Sequence, residues 1–297
     1  MGKYSKYASP RSPIEQLARK TKTCFNNGTI VERSMLLEQS PETDRTPEEF
    51  IGIATRLVNT AKENDIILRV MGATSVLIHV GKDTPILDVF KSYRKLTDID
   101  FVTYRKCWPK IEDFFQKQRF QPNERFNALH GDKQLNFTAS DNLHADVFRD
   151  KLDMSHVVDF TGRLEQDYPT IPLADLLLEK IQIVQINEKD IKDTLLLLRT
   201  HEIGNDDKDV INAPWIAHTL KDDWGFWYTV TTNLNKVNAR KNEYEWLSSE
   251  DRAVIESRVN KLLGIIESEP KTSRWRFRAR IGTRKKWYSD VEELSIT

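Results

Sequence analysis

Cysteine is scarce in this sequence, with only Cys24 and Cys107 among 297 residues. Two cysteines cannot build a disulfide framework, and these two do not show the spacing of a metal-binding motif. The chain also lacks an apolar run of about 18 residues that would span a membrane, and its first residues lack the apolar segment of a signal peptide. We therefore expect a cytoplasmic protein that has no membrane partner.

The sequence also lacks a net charge, because 45 Lys and Arg balance 45 Asp and Glu. The neutral total hides a local asymmetry, since the C-terminal part carries a basic block. Charged residues make up 30% of the chain and hydrophobic residues 39%, which is an ordinary composition for a soluble globular protein. Internal repeats and low-complexity tracts are absent, and the length allows two domains.

Hydrophobic periodicity predicts an α+β fold, with a small mixed sheet flanked by helices. The segments 66–71, 99–104, 133–138 and 143–148 have strand patterns, and 81–93 looks like an insertion between the first two. Helical patterns cover 47–63, 173–186, 187–198, 214–237 and 248–266. We therefore expect an N-terminal arm with a short helix over residues 1–45, a domain that contains the sheet over 46–170, and a mainly helical region over 171–297.

Gly72 follows the first predicted strand and precedes a predicted helix. A strand that enters a tight glycine turn and then a helix presents backbone N–H groups, which bind phosphate well. Gly72, Ala73 and Thr74 are therefore candidate nucleotide-binding residues. The alternative is an ordinary turn glycine.

Asp98 and Asp100 flank Ile99 in the second predicted strand. Residues two apart on a strand point to the same face, so both carboxylates would project together while Ile99 enters the core. Asp146, in the last of the four strands, is a third candidate, with Asp132 and Asp150 as weaker ones. Three convergent carboxylates are hard oxygen ligands that suit Mg²⁺ or Mn²⁺. A lone Asp-x-Asp is common by chance, and solvated carboxylates at a strand end are the alternative.

The order strand, glycine turn, helix, Asp-x-Asp strand and later Asp strand resembles the nucleotidyltransferase superfamily related to DNA polymerase beta. Within it, four segments are similar to nucleotidyltransferases of the AbiEii toxin type: Gly72–Thr74, Arg94–Asp100, Leu173–Lys180 and Lys189–Asp193. This sequence has Ala73 where the family has a second glycine, and longer gaps between Gly72, Asp98 and Asp146. The resemblance covers roughly residues 46–198.

The resemblance implies that Asp98, Asp100 and Asp146 are catalytic metal ligands and that a nucleoside triphosphate (NTP) is the substrate. It also implies that Lys180 and Asp190 bind the nucleotide, and that an antitoxin protein could be a partner. Lys180 lies in an apolar helix, where an unpaired cation is costly. A triphosphate would pair with it, and so would Glu179, Asp175 or Asp190. Asp190 also fits a helix cap.

Histidines and aromatic residues are weaker signals here. His144 and His156 lack a zinc-like spacing, and His79 is expected to make an ordinary polar contact. The aromatic residues between positions 215 and 228 have the spacing of a helix core.

Near the end of the chain, Arg274, Arg276, Arg278 and Arg280 alternate with apolar residues. This alternation predicts a half-buried strand with one arginine face, and Gly282-Thr283 predicts a turn into a basic hairpin. The segment 271–288 contains eight Lys and Arg and no acid. It is either an edge strand protected by charge or an RNA-binding surface.

The sequence therefore predicts an Mg²⁺-dependent nucleotidyltransferase that moves a nucleoside monophosphate from an NTP to a hydroxyl acceptor. The resemblance to the AbiEii type makes tRNA or another RNA an attractive acceptor. One alternative is a non-catalytic nucleotide- or RNA-binding component of a toxin–antitoxin pair. The other is an antibiotic nucleotidyltransferase. The acceptor, the preferred base and the oligomeric state are left open.

Overall fold

The computed structural model describes residues 45–81 and 84–291. Its fold is α+β, as predicted: one mixed sheet with helices around it, followed by a mainly helical part. The predicted arm and short helix before residue 45 lie outside the described residues. The boundary predicted near residue 170 stays a prediction, although buried hydrophobic residues from both sides of it belong to one continuous core.

Five strands form the main sheet, in the order β1-β2-β5-β4-β3. Strand β2 is antiparallel to β1 and parallel to β5, whereas β4 is antiparallel to both β5 and β3. The register places Asp100 opposite both Met71 and Asp146. The strands are β1 (Leu68–Met71), β2 (Asp98–Thr103), β3 (Phe120–Pro122), β4 (Gln134–Ala139) and β5 (His144–Arg149).

The first residues of helix α1 show how the local sequence determines where a helix begins. Thr46 accepts a hydrogen bond from the Glu49 backbone N–H, and the Glu49 side chain accepts one from the Thr46 N–H. Such a capping box, with Pro47 as the first helical residue, satisfies backbone donors that would otherwise lack partners. The buried face of α1 packs on β1 and α2. The helices that surround the sheet are α1 (Pro47–Glu63), α2 (Gly72–Val80), α3 (Thr84–Tyr93), α4 (Ile111–Lys117) and α5 (Glu124–His130).

The C-terminal part is helical and begins with a fully buried helix. All nine residues of α6 are buried, as its apolar pattern predicted, but the helix ends at Ile181, before the expected Ile186. Asn187 caps the next helix through the Asp190 backbone N–H. The remaining elements are β6 (Lys151–Asp153), β7 (Val157–Asp159), α6 (Leu173–Ile181), α7 (Glu188–Thr200), β8 (Ile203–Gly204), β9 (Ile211–Asn212), α8 (Ala213–Leu220), α9 (Trp224–Arg240), α10 (Ser249–Ser268) and α11 (Ser273–Ile281).

The structure adds detail to two expectations about intermediate segments. Residues 84–93 form the amphipathic helix α3, so most of the expected insertion is regular structure. The single helix expected over 214–237 is two helices, α8 and α9, because Asp223 caps a new helix by accepting a hydrogen bond from the Phe226 N–H.

The predicted basic strand and hairpin are wrong, because Ser273–Ile281 is the helix α11. Thr272 caps it, Trp275 packs edge-on against Trp227, and the Arg278 guanidinium lies over the Trp224 ring. Alternation over the eight residues 274–281 fits a strand, but arginine and alanine also favour a helix. Packing on α9 decides between the two. Within residues 45–81 and 84–291, no helix is both long and apolar enough to cross a membrane.

Candidate active site

Gly72 connects β1 to α2 and lies directly against a predicted metal ligand. Its φ of +68° is in the left-handed region, which glycine adopts without the steric cost that other residues incur. A Cβ built at this position would also overlap the Asp100 carboxylate. Glycine is therefore required here both by the backbone conformation and by the close approach of Asp100.

The structure brings the three predicted carboxylates together. Asp98 and Asp100 project from one face of β2, while Ile99 between them is fully buried. Asp146 lies on the adjacent strand β5, opposite Asp100. One oxygen from each carboxylate lies within 4.8 Å of the others. Octahedral Mg²⁺ binds oxygens at about 2.0–2.1 Å, so opposite ligand atoms are roughly 4.2 Å apart. Small side-chain adjustments would let these oxygens share one ion.

Two amide side chains that the sequence did not single out hold Asp146. Its Oδ1 accepts hydrogen bonds from Gln134 Nε2 at 2.9 Å and from Asn136 Nδ2 at 3.0 Å. Both amides come from β4, where positions two apart share a face. The signal in the sequence is the polar alternation in the predicted strand 133–138, but the pairing of β4 with β5 was needed to interpret it. Because both hydrogen bonds engage Oδ1, the second carboxylate oxygen, Oδ2, is left to bind a metal ion.

We expect Gln134→Leu to weaken divalent-metal binding about 10- to 100-fold, because the second amide alone would orient the Asp146 carboxylate. Isothermal titration with Mn²⁺ measures this. Gln116→Leu changes an amide on α4 that has no contact with the carboxylates, and it should leave the affinity unchanged. Equal affinities of the Gln134 variant and the wild type would contradict the role of this amide.

The carboxylates of Asp100 and Asp146 lie in an environment that disfavours their charge. Burial raises the pKa of Asp100 well above its ordinary value, and the charges of Asp98 and Asp146 add to the effect. Burial also raises the pKa of Asp146, although its two amide donors oppose that shift. Three acids that repel one another are stabilised by a bound divalent cation, so the charge pattern and the hard oxygen donors both fit Mg²⁺ or Mn²⁺.

Lys180 is buried and surrounded by acids. Its Nζ lies 3.3 Å from Glu179, 3.5 Å from Asp193 and 3.8 Å from Asp190. Burial by itself lowers the pKa of Lys180, but the three carboxylates outweigh it and raise the pKa. The sequence suggested three acids as partners of Lys180. Glu179 and Asp190 lie beside it, whereas Asp175 pairs with Arg163.

Asp193 is a member of this cluster that the sequence did not identify. It is fully buried and also accepts hydrogen bonds from Tyr93 OH at 2.9 Å and Arg94 at 3.1 Å. Asp190 is the third residue of α7, and its carboxylate is held by Asn187 Nδ2 at 2.8 Å. Asp190 therefore belongs to the first turn of α7 and also lies beside Lys180.

The side-chain carboxylate of Glu179, a residue of α6, lies at the N-terminus of α2, where an anion is favoured. Its Oε2 accepts the Gly72 backbone N–H at 3.2 Å, and burial raises the pKa of the Glu179 carboxyl. Ala73 lines the adjacent cleft, but the Thr74 side chain is buried away from it. Only the backbone N–H of Thr74 is therefore suited to contact a phosphate.

A cleft of about 300 Å³ joins these features. The glycine turn and Asp98 and Asp100 form one wall, and the acidic cluster around Lys180 forms the other. Basic side chains line the cleft as well, which suits an anionic ligand. They are Arg94, Lys95, Lys180 and Lys189.

The other predicted residues lie elsewhere. Asp132 and Asp150 line a neighbouring cavity and do not join the three carboxylates, and Asp150 instead accepts the Arg105 backbone N–H at 2.7 Å. None of the four arginines of α11 lines the cleft. Arg278 donates to the carbonyl oxygens of Gly282 and Lys285, so it stabilises the C-terminal segment.

Several solved structures are similar to this chain, and two of them are described here. One is the solution structure of the antibiotic-resistance factor ANT(2'')-Ia, with 12% identity over 59% of this chain and 95% of the other, and a TM-score of 0.36. The second is an antigenic nucleotidyltransferase-like protein from Paracoccidioides brasiliensis, with 13% identity over 76% of this chain and 95% of the other, and a TM-score of 0.40. No family model and no curated protein matches.

Proposed function

We propose that this protein is a nucleotidyltransferase that depends on Mg²⁺ or Mn²⁺ and moves a nucleoside monophosphate from an NTP to a hydroxyl group. The convergence of Asp98, Asp100 and Asp146 beside the left-handed Gly72 carries this proposal. In the transfer, the acceptor oxygen forms a bond to the α-phosphorus as the bond to pyrophosphate breaks, and the hydroxyl proton leaves to a base.

The roles of the residues follow from their positions. The N–H groups of Gly72, Ala73 and Thr74 at the start of α2 bind the β- and γ-phosphates, in place of the Glu179 carboxylate that Gly72 contacts in this structure. Lys180 and Lys189 supply positive charge from the opposite wall. A bound divalent ion would neutralise charge on the phosphates and lower the pKa of the acceptor hydroxyl. The Asp146 carboxylate would help to hold this ion and would also orient or accept the proton of that hydroxyl.

The acceptor would enter through the neighbouring cavity of about 860 Å³, which Asp132 and Asp150 line. It shares Leu152 and Met154 with the nucleotide cleft, and its wall includes Gln134, which contacts Asp146. Aspartates and basic side chains alternate around it, so no single sign of charge dominates. This mixed wall gives no particular support to a polycationic antibiotic acceptor.

The test is transfer of radiolabel from each of the four NTPs, with pyrophosphate release as a second signal. Candidate acceptors are total RNA, the protein itself and small hydroxyl compounds. We expect a signal that needs Mg²⁺ or Mn²⁺ and is lost with a chelator. Binding of a non-hydrolysable NTP without any transfer would instead favour a nucleotide-binding component of a toxin–antitoxin pair. The AbiEii likeness and the antitoxin partner stay predictions from the sequence.

The exposed face of α11 favours RNA as the acceptor. Arg274, Arg276 and Arg280 are exposed around Phe277, whose side chain is 68% exposed. Among the described residues, these three arginines form no ion pair with an acid. Phosphates would neutralise the guanidinium groups, and a base can stack on the Phe277 ring.

We expect Arg276→Gln/Arg280→Gln to weaken RNA binding and to lower the slope of log affinity against log salt by roughly 2, because two phosphate contacts are lost. Fluorescence anisotropy with labelled tRNA at several salt concentrations measures both. Arg278→Gln is the matched control: it removes an arginine of the same helix that binds carbonyl oxygens, so it should lower stability and keep the salt slope. An unchanged slope in the double variant would argue against this surface.

A further inference from the structure

A second group of metal-ligating side chains lies outside the candidate active site. His79 is in the last turn of α2, His201 directly follows α7, and Asp209 lies in the loop between β8 and β9. One ligand atom from each lies within 4.8 Å of the others. The two imidazole rings are nearly perpendicular, with centroids 5.6 Å apart. These residues come from distant parts of the chain, so only the fold brings them together.

The two ring nitrogens of His201 face different polar groups. Nδ1 lies 2.8 Å from the Thr200 hydroxyl, and that hydroxyl also donates to the Leu196 carbonyl oxygen at 2.7 Å. Nε2 lies 3.7 Å from Asp209 Oδ1 and is therefore the nitrogen on the side of this carboxylate.

His79 is oriented in a similar way by polar groups behind it. Its Nε2 lies 2.9 Å from the Thr170 hydroxyl and 3.6 Å from the Asp167 carboxylate, and Thr170 in turn donates to Asp167 at 3.2 Å. Histidines that bind metals are usually held by such a second layer of hydrogen bonds, which fixes the direction of the ring. Both histidines have this support.

Two imidazoles and one carboxylate are the ligands of a borderline transition metal such as Zn²⁺, rather than of Mg²⁺. In tetrahedral zinc sites, bonds of about 2.0–2.1 Å place ligand atoms roughly 3.3 Å apart. The 3.7 Å between His201 Nε2 and Asp209 Oδ1 closes to that value with a movement of a few tenths of an ångström.

The three side chains differ in their exposure to solvent. The side chains of His79 and His201 are 8% and 6% exposed, whereas that of Asp209 is 80% exposed. An ion bound by all three would therefore be enclosed on the histidine side and open to solvent on the side of Asp209. A zinc ion held by the three side chains would therefore have space for a water molecule as its fourth ligand.

We propose that His79, His201 and Asp209 form a binding site for a divalent transition metal of the zinc class. A bound ion would link the β8–β9 loop to the C-terminal end of α2, the helix that begins at Gly72. This inference does not depend on the proposed transferase function, because it rests on a separate set of residues.

The experiment is calorimetric titration of the full chain with Zn²⁺, in an Asp98→Asn/Asp100→Asn background that removes the competing carboxylates. We expect one equivalent of Zn²⁺ to bind and, at a free concentration of 100 times Kd, to raise Tm by about 5 °C or more. With Co²⁺ in place of Zn²⁺, a four-coordinate site gives intense visible absorption.

Two variants and a control make the result decisive. Asp209→Asn should lower the Zn²⁺ affinity at least tenfold and weaken the Co²⁺ absorption. It changes an exposed loop residue whose left-handed backbone (φ 57°) asparagine also adopts, so the variant should fold. His201→Gln should abolish binding, and His218→Gln, at an exposed histidine of α8, should have no effect. Zn²⁺ affinity and Co²⁺ absorption that are unchanged in Asp209→Asn would overturn the proposal, even if the buried His201 variant failed to fold.

Discussion

Asp98→Asn/Asp100→Asn is expected to reduce metal-dependent transfer from an NTP by about 1,000-fold or more, because it replaces two of the three carboxylates of the proposed metal site with neutral amides. An amide oxygen binds Mg²⁺ more weakly than a carboxylate and carries no charge to balance the ion. Label transfer and pyrophosphate release, measured at saturating NTP and over a range of Mg²⁺ concentrations, give the size of the loss.

The same double variant should fold at least as well as the wild type in the presence of a chelator. The raised pKa of Asp100 means that its ionised form is unfavourable in the native state at neutral pH, and asparagine removes that cost. A lower activity together with an equal or higher Tm therefore separates loss of chemistry from loss of structure. Asp88→Asn changes an exposed aspartate of α3 and serves as the control. If the wild type and the double variant gave the same signal with every NTP and acceptor, the transferase proposal would fail.

Lys180→Met should destabilise the protein by about 3–5 kcal/mol at neutral pH, since it removes the cation that faces three buried or partly buried carboxylates. Methionine keeps most of the volume of the lysine side chain, so the loss comes mainly from charge. Urea unfolding measures the free energy of unfolding, and Lys189→Met, at an exposed lysine of the same cleft, is the matched control.

The loss in Lys180→Met should shrink as the pH falls. Burial already raises the pKa values of Glu179 and Asp190 in the wild type, and Lys180 opposes that shift in both. Without the lysine, both pKa values in the folded state rise further above those of the unfolded chain. Their ionised forms then destabilise the native state above the unfolded pKa, and this penalty disappears at lower pH, where both groups are protonated in both states. Urea unfolding at neutral pH and near pH 4 tests the sign. A loss that is equal at both pH values would mean that packing dominates over charge.

The sequence alone placed the two aspartates of β2 correctly. Alternation has a period of two in a strand, so the burial of Ile99 necessarily directs Asp98 and Asp100 to the opposite face. The turn at Gly72 was predictable for a similar reason, because a strand, a glycine and a helix follow one another directly. Local periodicity and turn chemistry depend on a few neighbouring residues, so both can be recognised from the sequence alone.

The sequence did not determine the secondary structure of Ser273–Ile281. The eight residues 274–281 alternate between arginine and apolar side chains and satisfy the pattern of a strand, yet the segment is a helix. Trp275 and Arg278 contact aromatic side chains of α9, and this packing outweighs the local pattern. Periodicity is a weak guide in such a short segment, because tertiary contacts contribute more free energy than the local preference.

What the sequence by itself determined is which residues alternate, which segments cap helices and which carboxylates share a face. What only the tertiary structure decided is which distant residues meet: Asp146 beside Asp100, Asp193 beside Lys180, and His79 beside His201 and Asp209. The physical reason is that these contacts depend on the order and register of the strands and on how buried helix faces pack. Those features arise from burial of apolar surface across the whole chain, which no short segment encodes.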